Sequence, residues 1–546
     1  MSILDFIIGC PLLAAIGLAF VPRNYRFVTR LVALAATFAT MLAAFVMFAR
    51  FDAQEAAYQF VHRIPWVESL GISYYVGVDG INVGLLLMGA IVAFAAACVS
   101  WEVQEREKEY YILLLVMTGG IFGAFASLDL FFFYFFHELA LVPTFIMIGV
   151  WGRGANKNYA TFNITLYLSL GALIALIGLV LLYLQSGAQT FDIEELTRRL
   201  QSKPIKAGTQ NIIFPLLMFG FGILVSLWPF HTWAPLGYGA APTATAMLHA
   251  GVLKKFGLYG LIRVALPLLP AAFKTPILSE GLFAHFPFSW FPGALQHWLL
   301  QIGWMDLLAL LCLGNILYCG LVAIQQKDLN QLIGNSSVAH MGFIFLGIAS
   351  LTLVGVTGAV MVMIAHGLLA ALSFGLSGYL YQQTKTLDMG ELGGLLRKLP
   401  FAGAALVMAM LAGCGLPGFA NFVGEVMVFF GSWERYQIAT IIACWGGLVI
   451  GAVYMLRAVR SVLHGPLPGK WAAVQDTGPW RRVPFVLLLA SLLYFGFYPG
   501  SLLEKIKPSA QNIVNLANNE PPPPVKGKGG ARPVRTAQTP APTATR

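Results

Sequence analysis

The chain has 546 residues, of which 58% are hydrophobic and 11% charged, and its formal net charge is +10. Its mean hydropathy is +0.74. This composition excludes a soluble globular domain and predicts a polytopic membrane protein. Because irregular chain and open sheet edges cannot face lipid, the apolar runs must be α-helices. The positive charge lies in connecting loops and in the C-terminal tail, which fits membrane topology and anionic lipid rather than nucleic acid.

Apolar runs of about 18 to 25 residues recur along the chain. They predict an all-α polytopic membrane protein with about fourteen transmembrane helices, whose ends are set only to within several residues. The spans run near 3–20, 28–49, 78–101, 110–127, 129–151, 163–185, 211–232, 243–268, 298–324, 332–350, 353–382, 400–431, 438–463 and 483–499.

Basic residues of the short loops set the predicted orientation. An even number of spans places both termini on one face, and ten arginines and lysines fall on the opposite face. They are Arg23, Arg26, Arg153, Lys157, Lys327, Lys385, Arg397, Lys398, Arg457 and Arg460. By the positive-inside rule that opposite face is cytoplasmic, so we expect the termini on the non-cytoplasmic side.

Three spans contain helix-breaking residues. Pro229 interrupts the seventh, GCGLPG at 413–418 interrupts the twelfth, and His366-Gly367 is a candidate break in the eleventh. Such breaks occur where transporters bind ions, at matching positions of inverted repeats. Spans four to eight and nine to thirteen form two units of five helices each. Because five is an odd number, the second unit enters the membrane with the opposite orientation to the first. The seventh and twelfth spans are then equivalents.

These patterns predict five parts of the chain. They are the N-terminal spans 1–3 with their loops at 1–109, a first repeat at 110–268, a second repeat at 269–463, a C-terminal span at 464–507, and a disordered, basic, proline-rich tail at 508–546.

The six cysteines form no CxxC pair, and nearly all lie in apolar spans, so we expect this chain to hold no iron–sulfur cluster. The GxGxxG match at 413–418 follows no strand and lies in a membrane span, which excludes a nucleotide site of that type. We therefore expect neither a cofactor nor a metal on this chain.

Glu138 lies near the middle of the fifth span, within FFFYFFHELALVP. An unpaired carboxylate at that depth costs several kcal/mol, so it either pairs or titrates. Titration is a means of moving protons. The alternative is a neutral glutamic acid that hydrogen-bonds a neighbouring helix and has only a structural role.

Further ionisable residues lie in later spans: Lys254 and Lys255 in the eighth, His340 in the tenth, His366 in the eleventh and Glu425 in the twelfth. A buried lysine whose acidic partner approaches and withdraws can take up and release a proton. A single buried histidine can also be an ordinary polar core residue. The adjacent lysines point about 100° apart, so one faces the interior while the other snorkels, meets an acid or contacts water.

Several ordered motifs place the chain in a known family. They are GVDGIN (77–82), FHELALVP (136–143), PFHTWAP (229–235), APTATAMLHAGVLKKFGLYGLIR (241–263), SVAHMGF (337–343), MIAHGLLAA (363–371) and GLPGFANFVGE (415–425). With them the sequence resembles the antiporter-like membrane subunits of proton-pumping NADH:quinone oxidoreductase, respiratory complex I. A glutamate rather than a lysine in the twelfth span favours the chain M group among them.

The resemblance implies fourteen helices with two inverted five-helix repeats, and a polar axis at mid-membrane. The matching proton-translocating positions are Glu138, Lys255, His340, His366 and Glu425. Lys254 is added as a neighbour of the matched lysine, and His231 and His249 are accessory candidates. The seventh-span lysine of the family falls on Leu224, so the expected partner of the fifth-span glutamate is absent.

The resemblance also implies partners. Electron transfer in other subunits would drive proton movement, with flavin, iron–sulfur clusters and quinone on those subunits. We expect this chain, non-redox itself, to contact membrane-arm subunits, including sister antiporter-like chains, in a bacterial inner membrane. Two alternatives stay open: a subunit of a multi-subunit cation/proton antiporter, or a structural membrane-arm subunit with impaired pumping. Either Lys254 replaces the charge missing at Leu224, or the first half-channel is altered or lost.

Overall fold

The computed structural model of the chain describes residues 2–55, 57–277 and 301–520. Within these ranges, 12 helices are long and apolar enough to cross a membrane by length and composition. They are Ile3–Phe20, Arg26–Arg50, Asn82–Glu102, Glu107–Ala126, Leu130–Trp151, Lys157–Ser186, Ala207–Val225, Trp304–Gln325, Leu329–Ala349, Leu353–Thr384, Gln437–Leu463 and Pro479–Phe497. The predicted all-α membrane fold is confirmed.

Two further apolar segments consist of shorter helices and are compatible with the other two predicted spans. The eighth contains Thr243–Leu248, Lys255–Gly260 and Leu266–Leu268, joined by the π-helical turns His249–Leu253 and Leu261–Ala265. The twelfth contains Pro400–Gly413 and Ala420–Trp433. Spans are numbered in the order of the fourteen predicted spans. Positions 298–300, predicted to begin the ninth span, lie outside the described residues.

The seventh and twelfth spans are interrupted, as their prolines and glycines predict. The helix of the seventh ends at Val225 and resumes at Trp233, and that of the twelfth ends at Gly413 and resumes at Ala420. The break suggested in the eleventh was wrong, because one helix runs from Leu353 to Thr384.

Side-chain caps begin several spans at defined residues. Asp129 accepts hydrogen bonds from the amides of Phe131 and Phe132, at 2.9 and 3.1 Å, and so caps the fifth span. Asp328 and Thr352 cap the tenth and eleventh spans in the same way. Each cap satisfies amides that have no partner within the helix.

Spans ten and eleven form the core, since both are buried along the whole of their most apolar stretch. Spans six, thirteen and fourteen lie at the periphery and expose apolar side chains. This places the ionisable residues of spans ten and eleven deepest in the molecule.

The face that contains the termini has structure of its own. Strands β1 (Gln59–Val67) and β2 (Ile72–Val78) form an antiparallel hairpin, and a loop helix, Ile193–Ser202, is amphipathic. Asp129 accepts a hydrogen bond from the amide of Ser73 at 3.0 Å, which fastens the hairpin to the start of the fifth span.

The predicted start of the tail at 508 needs correction. A terminal helix runs from Gly500 to Asn518 and includes Pro508. One face of it is apolar and buried, through Leu502, Ile506, Ala510 and Ile513. These apolar residues recur at helical spacing, but the polar residues between them conceal the pattern in the sequence. The remaining tail positions, 521–546, lie outside the described residues.

Candidate functional site

Spans eight and eleven approach each other closely at a pair of glycines. A Cβ atom on Gly367 would lie 2.8 Å from the carbonyl oxygen of Gly251, so only glycine fits there without a shift. This contact brings Lys255 beside His366, whose Nδ1 lies 2.8 Å from the lysine Nζ. The amine also donates to the carbonyl of Ala250, within the π-helical region of its own span. Gly367 thus permits close packing and does not break its helix.

The chain of polar groups continues from the eleventh span to the twelfth. The rings of His366 and His340 have centroids 5.3 Å apart. His340 Nδ1 lies 2.7 Å from the carbonyl oxygen of Ser336, and its Nε2 lies 3.7 Å from Glu425 Oε1. Four of the predicted residues therefore form one buried series, Lys255–His366–His340–Glu425, across four spans. We call it the central chain.

The break in the twelfth span makes room for its glutamate. Gly415 has φ +67, and a Cβ atom there would lie 2.5 Å from Glu425 Oε2. Glycine is required for both reasons. Within the described residues Glu425 Oε1 has no hydrogen-bond partner although it is buried, which leaves it free to accept from a nearby donor.

Lys254 points away from Lys255, as the 100° offset requires. Its Nζ lies 3.4 Å from Ser337 Oγ in the tenth span and 5.6 Å from the ring centroid of Tyr238. In the described part of the chain no carboxylate lies within 4 Å of either lysine. Both side chains are buried, so the amines face hydroxyl, imidazole, carbonyl and aromatic groups.

The accessory histidines lie at the seventh and eighth spans. His249 Nδ1 is 3.1 Å from the hydroxyl of Tyr238, the residue whose ring faces Lys254. His231 lies in the seventh-span break, with its Nδ1 3.2 Å from the carbonyl oxygen of Pro229. The structure brings His249 to the lysine region, whereas His231 has no hydrogen bond to the central chain among the described residues.

Glu138 lies apart from the central chain. Its Oε1 is 3.5 Å from Nδ1 of His137, and the side chain is 35% exposed at the surface of the molecule. The ring of His137 stacks on Phe256, next to Lys255 in sequence, with centroids 4.0 Å apart. Leu224 is buried and 3% exposed. His137 Nδ1 and Glu138 Oε1 are close but make no hydrogen bond, and no ion pair joins Glu138 to Lys254 in the part of the chain that is described.

Sequence reasoning overlooked four side chains that contact the predicted ones. They are His137, Tyr238, Ser336 and Ser337. The polar run Asn335–Ser337 within a buried span was the available signal for the two serines. Tyr238 had no such signal, because its contact depends on the path of the chain after the break.

An asparagine of the ninth span holds the seventh-span break. Asn315 Oδ1 accepts from the amide of Trp228 at 2.8 Å, and its Nδ2 donates to the carbonyls of Ser226 and Val338, at 2.9 and 3.2 Å. Unwinding frees backbone groups that need partners in a membrane. Asn315 supplies them and ties the break to the tenth span.

The molecule combines many helical spans, two of them interrupted, with a buried series of lysine, histidines and glutamate. This combination is typical of antiporter-like membrane subunits. The family model described as NADH:quinone oxidoreductase/Mrp antiporter, TM, matches residues 126–296 and 293–451. The chain belongs to this family.

Curated relatives agree with the predicted chain M group. NADH-quinone oxidoreductase subunit M of Rickettsia conorii is 32% identical over 485 residues, which cover 88% of this chain and 92% of the relative. F(420)H(2) dehydrogenase subunit M of Methanosarcina mazei is 33% identical over 473 residues, covering 86% of this chain and 89% of the relative. The resemblance stated from the motifs is confirmed.

A solved structure has the same architecture. A chain of respiratory complex I from Thermus thermophilus with bound NADH superposes with a TM-score of 0.81 at 25% sequence identity. The match covers 94% of this chain and 99% of that chain. The chain is therefore homologous to a membrane subunit of a multi-subunit oxidoreductase.

Proposed function

We propose that this chain is a non-redox, proton-translocating subunit of a quinone-reducing membrane complex, in which electron transfer elsewhere drives proton movement. The central chain supports the proposal most directly: Lys255 and His366 are 2.8 Å apart, and His340 lies between His366 and Glu425. Ionisable groups buried in a membrane chain are costly and mark ion pathways.

Each residue has a proposed role. Lys255 is the central proton carrier, because its amine is buried and contacts an imidazole. His366 and His340 are the relay, since an imidazole can accept a proton on one nitrogen and release one from the other. Glu425 is the exit-side group or the link to a neighbouring subunit. Water at the interrupted helices completes the path.

The first half of the chain works differently in this proposal, because Leu224 replaces the family lysine. Glu138 would control the charge state of the lysine region through His137, whose ring stacks on Phe256 beside Lys255. Lys254 would take over the missing charge indirectly, through Tyr238 and His249. Lys254 and Glu138 form no direct ion pair among the described residues.

The exposure of Glu138 supports a neighbouring subunit. A carboxylate on an apolar helix surface is costly against lipid, so a partner chain or water must face it. We propose that membrane-arm subunits, including sister antiporter-like chains, cover this surface. Flavin, iron–sulfur clusters and quinone would lie on partner subunits.

The two five-helix units at 110–268 and 269–463 would be inverted repeats. The chain would lie in a bacterial inner membrane, with both termini outside the cytoplasm.

Copurification tests this function against its rival. A tagged chain isolated in mild detergent should bring down flavin and iron–sulfur absorbance, and the preparation should acidify liposomes when it reduces quinone without sodium. The family description includes Mrp antiporters, so a cation/proton antiporter subunit is the second candidate. Sodium-dependent proton exchange in a preparation without those cofactors would establish that candidate instead.

A structural membrane-arm role is the third candidate, and Leu224 favours it because a charge is missing from the first half. Full wild-type stoichiometry in the double variant Lys255→Met/Glu425→Gln would support this role and contradict translocation through the central chain.

A further inference from the structure

An open groove lies on the face opposite the termini, between the end of the thirteenth span and the loop after the eleventh. It encloses about 640 Å³ and is lined by Arg457, Arg460 and His464. An adjoining hollow of about 400 Å³ shares Arg457 and adds Lys327. We call the two together the basic groove, defined by Lys327, Arg457, Arg460 and His464.

The cations of the basic groove lack carboxylate partners among the described residues. Arg457 Nη1 donates to the carbonyls of Ile324 and Gln326, at 2.7 and 2.8 Å, and these acceptors carry no net charge. The side chain of Arg460 is exposed and has neither a hydrogen bond nor an ion pair in the described structure. The side-chain charge of both arginines is therefore available to an anion.

Two acids line only the adjoining hollow, and one of them has a cationic partner outside the basic groove. Glu391 Oε2 lies 2.7 Å from Nζ of Lys470. Asp388 Oδ1 accepts a hydrogen bond from the amide of Gly390 at 2.8 Å, and its negative charge offsets part of the positive charge of this hollow. The larger part of the groove, at Arg460 and His464, contains no acid. Its charge balance is that of an anion-binding site.

An apolar surface leads from the groove along the thirteenth span. Val449, Val453 and Leu456 precede Arg460 at spacings of 4, 3 and 4 residues, which place all four on one helix face. The three apolar side chains are 47%, 48% and 49% exposed. A cation at the end of an exposed apolar helix face matches a phospholipid, whose acyl chains lie beside the helix below its headgroup. A free phosphate ion has no apolar part that would contact this helix face.

We propose that the basic groove binds the phosphate of an anionic phospholipid headgroup, with its acyl chains along Val449, Val453 and Leu456. Guanidinium groups donate in a fork that fits phosphate oxygens, and His464 adds a further donor. Clusters of basic residues at the cytoplasmic ends of membrane helices favour anionic lipid by about 1 kcal/mol for each charge near the surface.

Native mass spectrometry of the delipidated full-length chain in detergent tests the proposal. Phosphatidylglycerol and cardiolipin should bind more tightly than phosphatidylcholine, and Arg460→Gln should weaken anionic-lipid binding about fivefold. Arg397→Gln is the matched control, because Arg397 is an exposed arginine on the same face outside the groove. It should leave binding unchanged. Leu456→Ser should weaken lipid binding without altering the charge.

Three outcomes would overturn the proposal. Equal binding of phosphatidylcholine would exclude recognition of the anionic headgroup. Equal losses in Arg460→Gln and Arg397→Gln would indicate diffuse surface charge. Displacement of the lipid by millimolar inorganic phosphate, together with no effect of Leu456→Ser, would assign the groove to free phosphate. Persistence of lipid binding in excess phosphate supports the lipid assignment.

Discussion

Leu224 and Lys254 are the two residues on which the proposed role of the first half of the molecule depends. The motif resemblance places a lysine of the family at Leu224, and without that cation the fifth-span glutamate lacks its expected partner. Lys254 is buried but contacts Ser337 and Tyr238 in place of a carboxylate. A buried charge without a counter-charge is destabilising unless hydrogen bonds or water support it. Either Lys254 functions in proton movement, or its burial has a free-energy cost that nothing in the structure explains.

Lys254→Ala should lower the number of protons translocated per two electrons, because the proposed substitute for the missing charge is removed. Reconstituted complex with a pH-sensitive dye measures it, and Lys398→Ala, at an exposed lysine, is the control. The double variant Leu224→Lys/Lys254→Ala should recover part of the loss. Unchanged stoichiometry in Lys254→Ala would show that no compensation occurs.

Glu138→Gln should assemble normally but lose translocation, because the amide keeps the size and polarity of the side chain but cannot carry a negative charge or exchange a proton. Assembly is measured by the yield of intact complex and translocation by proton uptake into liposomes. Glu434→Gln neutralises an exposed acid and should have no effect. Full pumping by Glu138→Gln would contradict the proposed control of the lysine region.

At the scale of elements, the interrupted spans depend on partners supplied by other helices. Asn315 makes three hydrogen bonds to backbone groups at the seventh-span break and in the tenth span. The break of the twelfth span depends instead on Gly415, whose positive φ and missing side chain leave room for Glu425. The two breaks correspond in position along the predicted repeats but are stabilised differently.

Asn315→Ala should destabilise the protein by about 1–3 kcal/mol for each buried backbone group left without a partner. The thermal unfolding midpoint in detergent should fall accordingly. Asn335→Ala is the matched control, because its amide donates to Gln331 of its own helix and leaves no unwound backbone exposed. Equal midpoints for the two variants would show that Asn315 does not support the break.

The local sequence pattern predicted the helical spans well but did not predict which residues of different spans contact one another. Apolar runs indicated the spans, and the prolines and glycines near 229 and 413–418 indicated the two breaks. Gly367 was misinterpreted, because a glycine that permits close helix packing and one that ends a helix look alike in sequence. The terminal helix was missed because Pro508 and its polar neighbours conceal a buried apolar face.

For the whole molecule, the candidate site was predictable as a set of residues but not as an arrangement. Ionisable groups in apolar spans identified the members of the central chain. Their order in space depends on the π-helical turns of the eighth span and on its contact with Gly367, and neither feature has a local signature. Because the sequence does not show how the helices pack, it could not predict that Glu138 lies apart from the central chain.

We propose that protons pass through the chain Lys255–His366–His340–Glu425. The most direct test is the number of protons translocated per two electrons by complex that contains Lys255→Met, with Lys398→Met as control. Methionine fills a similar volume without a proton to carry, and loss of a positioned proton-transfer group slows transfer by about 100-fold or more. We predict a reduced stoichiometry for Lys255→Met alone. A stoichiometry equal to that of the wild type would contradict the account.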